Sequence, residues 1–181
     1  MSKDAKPVPY KGLYEWMQGI VVVLLAVLML LTFVGQITGV QGFSMMPTLL
    51  ERDRMIVRSI FYTPARDDLV VFARKGFQDD PAMVKRVIAL AGDVVDIDTA
   101  AGVVYVNGTR LYEPYTMELT HRSMTMSFPF VVPPGHVFVL GDNRQNSTDS
   151  RDLVIGAVDE REIIGQVVAV ILPFSRARLF S

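Results

Sequence analysis

The 181-residue sequence lacks cysteine altogether, which excludes disulfide bonds and thiolate metal sites. Its two histidines, His121 and His136, lie too far apart in sequence for the i, i+4 pair of a helical metal site. The net charge of -1 and the pI near 6.1 give no electrostatic reason to expect nucleic-acid binding. From these absences we expect no cofactor, no metal and no nucleic-acid partner.

Charge is also missing from one long stretch, because no charged residue occurs between Trp16 and Leu50. Within it, Met17–Val34 is long enough to cross a bilayer core as a helix, which takes roughly 17 to 25 residues. This run has no polar face of the kind that a buried core helix shows. Its length, and the poor small-x-small site at Gly35–Thr38, favour an uncleaved single-pass anchor over a cleaved signal peptide.

The composition therefore divides the chain into three predicted parts. Residues 1–15 form a short basic tail, residues 16–36 a transmembrane anchor and residues 37–181 a separate domain. Basic residues lie on both sides of the anchor, so the positive-inside rule favours an internal N-terminus only slightly. These residues are Lys3, Lys6 and Lys11 before the anchor and Arg52, Arg54 and Arg58 after it.

After Leu50, short apolar runs alternate with turn residues, a pattern typical of β-strands. The predicted strands are Met55–Val57, Leu69–Phe72, Val84–Leu90, Val94–Asp98, Val103–Val106, Thr109–Tyr112, Val131–Val132, His136–Leu140 and Ile163–Leu172. Asn107-Gly108 predicts a tight hairpin, because both turn positions need positive φ. With no long amphipathic helix and no internal repeat, the pattern predicts a mostly antiparallel β domain. Residues 94–135 are predicted to form a smaller hairpin and loop subdomain, with a long variable loop over Glu113–Ser127.

One serine, Ser44, lies where the uncharged stretch ends, between Phe43 and two methionines. Most serines beside an apolar segment are structural, and a hydroxyl becomes a useful nucleophile only with a positioned base, most often histidine. His136 follows a Pro-Pro-Gly turn and is interpreted as structural, while His121 lies in a polar loop and is interpreted as solvated. Lysine is the other known base for a serine nucleophile.

Lys85 is the candidate base because it lies within an apolar strand. Strand alternation predicts that Arg86 lies on the opposite face from Lys85. The residues predicted to share the Lys85 face are Met83, Val87 and Ala89. Apolar surroundings disfavour the charged amine, and its pKa must fall from about 10.4 to roughly 7 to 8 for a base near neutral pH. The alternative is a snorkelling or ion-paired lysine on an edge strand.

A dense polar loop, Gly141–Arg151, directly follows the apolar strand His136–Leu140. Its residues alternate acids, arginines and hydroxyls, which is compatible with a solvated turn. The same residues also supply what a rigid support for an active site needs. Paired charges lock such a loop, and a hydroxyl orients a neutral amine.

Together these stretches resemble the type I signal peptidases, the membrane-bound serine and lysine proteases that remove signal peptides from exported proteins. Ser44–Leu49 is similar to the nucleophile box of the family, and Asp68–Phe72 is similar to the strand that follows it. Lys85–Asp93 resembles the general-base box and Gly141–Arg151 the final box. The four boxes occur in the family's order from the membrane segment nearly to the C-terminus, which makes the resemblance specific.

The resemblance implies roles for individual residues. Ser44 would attack the scissile carbonyl, Lys85 would accept its proton, and Ser147 would orient the Lys85 amine by a hydrogen bond. The Ser44 backbone N–H would bind the oxyanion. An ion-pair scaffold beneath the site would comprise Asp142, Arg144, Asp149 and Arg151, with Asp149 paired to Arg151. Shallow pockets for small substrate residues would be lined by Val40, Met45, Leu49, Met83 and Val84.

The resemblance also implies a fold and a location. The fold would be a mostly β, antiparallel catalytic domain related to that of self-cleaving repressors, tethered by one N-terminal transmembrane helix. The N-terminus would be cytoplasmic and the catalytic domain outside the cell membrane. Its partners would be secretory preproteins, cut after small-x-small sequences such as Ala-x-Ala, and the lipid bilayer.

One position departs from part of the family. Some members carry a serine two residues before the nucleophile, where its hydroxyl helps to bind the oxyanion, but this chain has Gly42 there. That difference, the short chain and the missing cysteines resemble the compact Gram-positive-type enzymes. A self-cleaving repressor would need a DNA-binding domain where the membrane span stands. An inactive membrane-anchored homologue that binds preproteins would have no need of Ser44, Lys85 and Ser147 together.

Overall fold

The computed structural model describes residues 10–33, 36–74 and 82–180. Its long helix, α1 (Lys11–Phe33), exposes every side chain from Gly12 to Met29, a window with mean hydropathy 1.8. An exposed apolar helix of this length suits a bilayer, because a helix satisfies its own backbone hydrogen bonds there. Residues 1–9 of the predicted tail and residues 34–35 of the predicted anchor lie outside the described residues.

The ends of α1 differ from the predicted limits of the anchor, residues 16–36, which remain a prediction. α1 begins at Lys11, inside the predicted tail, because the residues from there to Phe33 include no proline, and the two glycines, Gly12 and Gly19, are outnumbered by good helix formers. At the other end, residue 36 is not helical. It opens strand β1 (Gln36–Gly39), which pairs antiparallel with β2 (Arg54–Arg58). The residues before Ser44 therefore belong to the β domain.

The domain after α1 is built from two antiparallel sheets, which confirms the predicted fold class. Within the described residues, the larger sheet adds to β1 and β2 the strands β3 (Leu69–Ala73), β4 (Ala82–Ala89), β9 (His136–Leu140), β10 (Val158–Asp159), β11 (Ile163–Leu172) and β12 (Arg178–Leu179). Its order is β1-β2-β11-β3-β4-β9-β10, and β12 pairs with β11. The smaller sheet has the order β7-β6-β5-β8 and contains β5 (Val94–Asp98), β6 (Val103–Val106), β7 (Thr109–Arg110) and β8 (Phe130–Val131).

All nine predicted strands correspond to observed ones. The hairpin at Asn107-Gly108 is also confirmed, with both residues at positive φ between β6 and β7. Three short strands, β1, β10 and β12, were not predicted from the sequence. They have four residues or fewer, which is too short for alternation to distinguish a strand from a loop.

The smaller sheet shares a core with the larger one. Val95 and Val104 pack in the same buried cluster as Ile88 and Leu140, which end β4 and β9. Phe138 of β9 lies at the centre of this contact, and its ring packs against the rings of Phe128 and Phe130. The predicted subdomain at 94–135 is therefore packed directly onto the strands that carry the predicted site.

Strand β4 alternates as predicted only up to Val87. Met83 and Val87 pack in one buried cluster and Val84 in another. A shift in the pairing with β9 falls between Val87 and Ala89, and Ala89 packs with Ile88 in a third cluster. The prediction that Ala89 shares the face of Lys85 is therefore wrong, because a β-bulge changes the facing of the residues after it.

Candidate active site

Ser44 lies on a short turn that follows β1. The turn is closed by backbone hydrogen bonds from Met46 N to Phe43 O at 3.2 Å and from Leu49 N to Met45 O at 2.8 Å. Met45 and Leu49 are buried in the cluster formed by β2, β3 and β11, which fixes the turn to the sheet. Ser44 itself remains partly exposed at a cleft.

Lys85 reaches this turn from β4. Its Nζ donates a hydrogen bond of 2.8 Å to Ser44 Oγ and one of 3.1 Å to the Val84 carbonyl, and the residue is only 4% exposed. Burial lowers the pKa of the Lys85 amine to about 8, against the opposing effect of Asp149 and Asp142, whose negative charges favour the protonated form. A neutral amine is therefore accessible near physiological pH. Sequence reasoning brought these two residues together only through the family resemblance.

Two buried ion pairs hold the loop behind Lys85. Asp149 accepts hydrogen bonds from Arg151 Nε at 2.8 Å and Nη2 at 2.9 Å, the pairing that the sequence predicted, and from Gly141 N at 3.0 Å. Burial would raise the pKa of Asp149, but the hydrogen bonds and charge of Arg151 outweigh it and hold that pKa below its usual value. Asp142 pairs with Arg86, whose Nη2 lies 2.6 Å from the carboxylate. Arg86 was not among the predicted scaffold residues.

Arg144 has no acidic partner within the loop. Its fully buried guanidinium donates to both carboxylate oxygens of Glu113, at 2.5 and 3.1 Å, and to Thr120 Oγ1 at 2.8 Å. These partners lie in the stretch that was predicted to be a long variable loop. The stretch does lack regular strands, but Glu113 and Thr120 are not solvated loop residues, since both contact this buried charge. No local pattern in the sequence signals this pairing.

Asn143 joins the loop to the serine turn, and sequence reasoning missed it. Its backbone N–H donates to the Ser44 carbonyl at 3.0 Å, and its side-chain amide donates to the Phe43 carbonyl at 3.1 Å. Asn143 thereby fixes the backbone on both sides of the Phe43–Ser44 peptide. The only sequence signal for this role was that Asn143 lies in Gly141–Arg151, the stretch that resembles the final box of the family.

The predicted hydrogen bond between Ser147 and Lys85 is not formed. Ser147 Oγ is buried and makes no hydrogen bond of acceptable geometry within residues 10–33, 36–74 and 82–180, but it lies close enough to Asp149 to help lower the pKa of that carboxylate. It nonetheless lies beside the site, because a Cβ added to Gly141 would meet Ser147 Oγ at 2.2 Å and the Ser44 carbonyl at 2.6 Å. Glycine at position 141 is thus what lets the loop approach the serine turn so closely.

A cleft of about 550 Å³ opens beside Ser44 and Lys85. Four of the five residues predicted to line a substrate pocket line it, namely Val40, Met45, Met83 and Val84. Leu49 does not, because it is fully buried and packs behind Val40 and Met45. The cleft is also bounded by β1 residues such as Thr38 and by Ala82 of β4. It therefore lies between two strands.

Gly42 lies at the cleft with a φ of +80°. A Cβ at this position would have no heavy atom within 4 Å, so space does not exclude a side chain. The backbone conformation does disfavour one, since a left-handed residue with a Cβ costs roughly 1–2 kcal/mol. The turn that presents Ser44 therefore accounts for the glycine that distinguishes this chain from part of the family.

Neither histidine lines the cleft. His136 Nδ1 lies 2.9 Å from the Pro134 carbonyl at the start of β9, and His121 Nδ1 lies 2.9 Å from the Thr99 carbonyl. In the part of the chain that the structure describes, no group of three or more histidine, aspartate or glutamate side chains is arranged to hold a metal. Lys85 is the base that the geometry offers to Ser44.

The sequence matches the family described as "Signal peptidase, peptidase S26" over residues 13–172. The probable signal peptidase I-1 of Synechocystis sp. is 35% identical, over 97% of this chain and 91% of the relative. Signal peptidase I of Bacillus licheniformis is 32% identical over 98% of both chains. Signal peptidase I S of Bacillus subtilis is 34% identical over 93% of this chain and 94% of the relative.

An apolar N-terminal helix, an antiparallel β domain and a serine hydroxyl bonded to a buried lysine define a membrane-anchored serine peptidase. The family match covers most of the sequence and both sheets. The chain belongs to the signal peptidase I family, peptidase S26, and resembles its compact members in length. The predicted family and enzyme class are confirmed.

Proposed function

We propose that this chain removes signal peptides from exported preproteins by means of a Ser44–Lys85 dyad. The observation that carries the proposal is the 2.8 Å hydrogen bond from Lys85 Nζ to Ser44 Oγ at the edge of a cleft. Burial lowers the pKa of the same amine to about 8. A hydroxyl and a nearly neutral amine at this distance are suited to proton transfer during nucleophilic attack.

In the proposed reaction, Ser44 Oγ attacks the scissile carbonyl while Lys85 Nζ accepts the hydroxyl proton. The ammonium then protonates the leaving amine, and the new N-terminus of the mature protein departs. Lys85, neutral again, takes a proton from the water that attacks the acyl-enzyme, and returns it to Ser44 Oγ as the carboxylate product leaves. The Ser44 backbone N–H binds the oxyanion in both steps, and the Gly42 side chain offers no donor.

We also propose that Ser147 and the ion-paired loop keep the Lys85 amine in place. Ser147 Oγ is buried next to the serine turn and makes no hydrogen bond of good geometry among the described residues, so we assign it as an acceptor for the Lys85 amine. The scaffold of Asp142, Arg144, Asp149 and Arg151 fixes the loop, since each of its charges is paired. A rigid loop keeps the reacting groups aligned.

The cleft supports a substrate bound as an extended strand. Among the strands of the described residues, β1 is an edge strand that pairs with β2 alone, and Ala82–Lys85 of β4 precede the residues that pair with β9. A preprotein segment laid between them would gain main-chain hydrogen bonds and place alternate side chains against the cleft. Val40, Met45, Met83 and Val84 fill the wall there, and Leu49 supports it from behind. Only small side chains would fit.

We expect cleavage to depend on small residues at the first and third positions before the cut. Replacing alanine at the first position with phenylalanine should lower kcat/KM by about 10²-fold or more, because a bulky ring would clash with a filled pocket. Phenylalanine at the second position, which points away in an extended peptide, is the matched control and should change kcat/KM little. The measurement uses the detergent-solubilised full chain and a purified preprotein. Equal rates for both variants would contradict the proposed pocket, and binding without any cleavage would favour the inactive homologue.

We propose that α1 spans the cell membrane with its N-terminus in the cytoplasm and residues 37–181 outside. Because the chain has no cysteine, single introduced cysteines report orientation without background. In intact spheroplasts, a membrane-impermeant maleimide should label Tyr112→Cys, since Tyr112 is 86% exposed on the β domain. It should label Ser2→Cys only after permeabilisation. The reverse labelling pattern would contradict the proposed orientation.

A further inference from the structure

The stretch Glu113–Tyr115 contacts two of the buried arginines near the predicted dyad, Arg86 and Arg144. It follows β7 of the smaller sheet and lies outside the four boxes that carried the family resemblance. Glu113 binds Arg144 through both carboxylate oxygens, and the Arg144 side chain is fully buried. This is the only carboxylate that Arg144 contacts among the described ion pairs.

Arg144 connects Glu113 to the serine. Its Nε donates to the Gly141 carbonyl at 3.0 Å, and its own carbonyl accepts from Arg151 Nη2 at 2.8 Å. The residue before it, Asn143, donates to the Ser44 carbonyl. Removal of the Glu113 carboxylate would leave a buried guanidinium without its counter-charge, one residue from the contact that holds Ser44. An unpaired buried guanidinium either draws water into the site or moves towards the solvent.

Tyr115 connects the same stretch to the lysine. Its ring lies against the Arg86 guanidinium, with Cζ 3.9 Å from the ring centroid, and its hydroxyl donates to Glu113 Oε1 at 3.3 Å. Arg86 is the neighbour of Lys85 on β4 and pairs with Asp142. The aromatic ring shields that ion pair from water and favours the cation over its face. Glu113 therefore supports the loop that contacts Ser44, and Tyr115 supports the strand that carries Lys85.

We infer that Glu113 and Tyr115 are positioning residues that align Ser44 with Lys85, so that the smaller sheet sets the geometry of the reaction. This inference rests on the proposed dyad. Neither side chain contacts the cleft, so neither is expected to bind substrate. Their loss should slow the chemical step and leave substrate affinity unchanged.

The test compares Glu113→Gln and Tyr115→Leu with matched changes at exposed positions of the same stretch. Glu118→Gln removes the same charge, and Tyr112→Leu removes the same ring, but both of those side chains are exposed. With the full chain in detergent and a preprotein substrate, we expect kcat to fall about 10- to 100-fold in the first pair, because small misplacements of reacting groups cost this much. KM should stay within about twofold in all four variants.

The pH dependence separates positioning from loss of folded protein. A loosened site admits water to Lys85, so its pKa moves back towards that of an ordinary lysine and the acidic limb of the kcat profile moves to higher pH. Asp142, Asp149 and Arg151 are the charged groups that act on this amine, and none is altered in these variants. Partial unfolding would instead lower kcat by the same factor at every pH. Glu113→Asp, which keeps the charge, should restore part of the rate.

Three results would overturn the inference: rates in Glu113→Gln and Tyr115→Leu equal to those of their controls, a uniform loss of kcat with an unmoved acidic limb, or a selective rise in KM. Each of these leaves the proposed function intact if the wild-type chain cleaves and Ser44→Ala does not. Failure of the wild-type chain to cleave, or cleavage by Ser44→Ala, would instead reject the proposed dyad.

Discussion

Replacing Ser44 with alanine is expected to lower kcat for preprotein cleavage by about 10⁴-fold or more, because the change removes the proposed nucleophile and leaves no acyl-enzyme route. The fold should be unaffected, since the turn is held by Met45 and Leu49 and by backbone hydrogen bonds that alanine retains. The measurement is single-turnover cleavage of a purified preprotein, followed by gel electrophoresis. Ser123→Ala, a change at an exposed serine, is the matched control and should be fully active.

The Ser44→Ala variant also separates catalysis from binding. The cleft walls formed by Val40, Met45, Met83 and Val84 are unchanged in it, so it should bind preprotein with wild-type affinity. Cleavage by Ser44→Ala at the wild-type rate would show that another group is the nucleophile. Loss of preprotein binding together with activity would show that the change had disturbed the cleft rather than the chemistry.

Replacing Lys85 with methionine is expected to lower kcat by about 10³-fold and, at pH 7, to raise the free energy of unfolding by about 3 kcal/mol. Methionine fills a similar volume but accepts no proton. The stability gain follows from burial, which lowers the pKa of Lys85 from 10.5 to about 8 in the folded chain. Folding at neutral pH therefore buries an amine that is charged in the unfolded chain, which costs free energy. Methionine carries no charge, so the variant does not have this cost.

The sign of the pH dependence follows from the same shift. Between pH 8 and 10.5 the unfolded chain binds the Lys85 proton and the folded chain does not, so the contribution of Lys85 to stability rises with pH across this window. The advantage of Lys85→Met should be complete below pH 8 and absent above 10.5. Urea unfolding of the solubilised chain at several pH values measures it. Lower stability of Lys85→Met at pH 7 would contradict the assigned burial cost.

Wild-type activity should increase with pH through an apparent pKa near 8, because only the neutral amine can act as the base. Lys85→Arg should be inactive, since arginine stays protonated at every pH of interest. His136→Ala is the control for a histidine mechanism, and it should keep both the rate and the position of the acidic limb. Two results together would instead indicate histidine as the base: a His136→Ala variant that folds but is inactive, and a wild-type acidic limb near pH 6.5.

The fold was largely predictable because its determinants are local. Nine strands carry alternating or continuous apolar residues bounded by turn residues, and Asn107-Gly108 specifies its own hairpin. The apolar helix was equally visible, since no other structure suits so long an uncharged run. The predictions failed where strand pairing, rather than the local sequence pattern, determines the structure. The strands β1, β10 and β12 exist through their partners, and the bulge after Val87 depends on its register with β9.

The candidate site was less predictable, because its residues come from distant parts of the chain. Ser44, Lys85 and the loop Gly141–Arg151 were singled out from their local sequence, but only the family resemblance grouped them into one site, because none of their spacings implies a contact. The family resemblance implied the ion pair of Asp149 with Arg151, and the structure contains it. The partners of Arg86 and Arg144 were not predicted, since each pair joins segments that only the packed sheets bring together.

The sequence by itself determined that this chain has an apolar helix and a β domain, and that a serine stands at the junction between them. These properties follow from local propensity and from the sorting of apolar and polar residues. Only the tertiary structure decided that Lys85 meets Ser44, that Glu113 neutralises Arg144, and that Ser147 is buried beside the serine turn. Those outcomes depend on strand register and on burial. Burial lowers the pKa of the Lys85 amine and requires a partner for each buried charge, which for Arg86 and Arg144 comes from another segment.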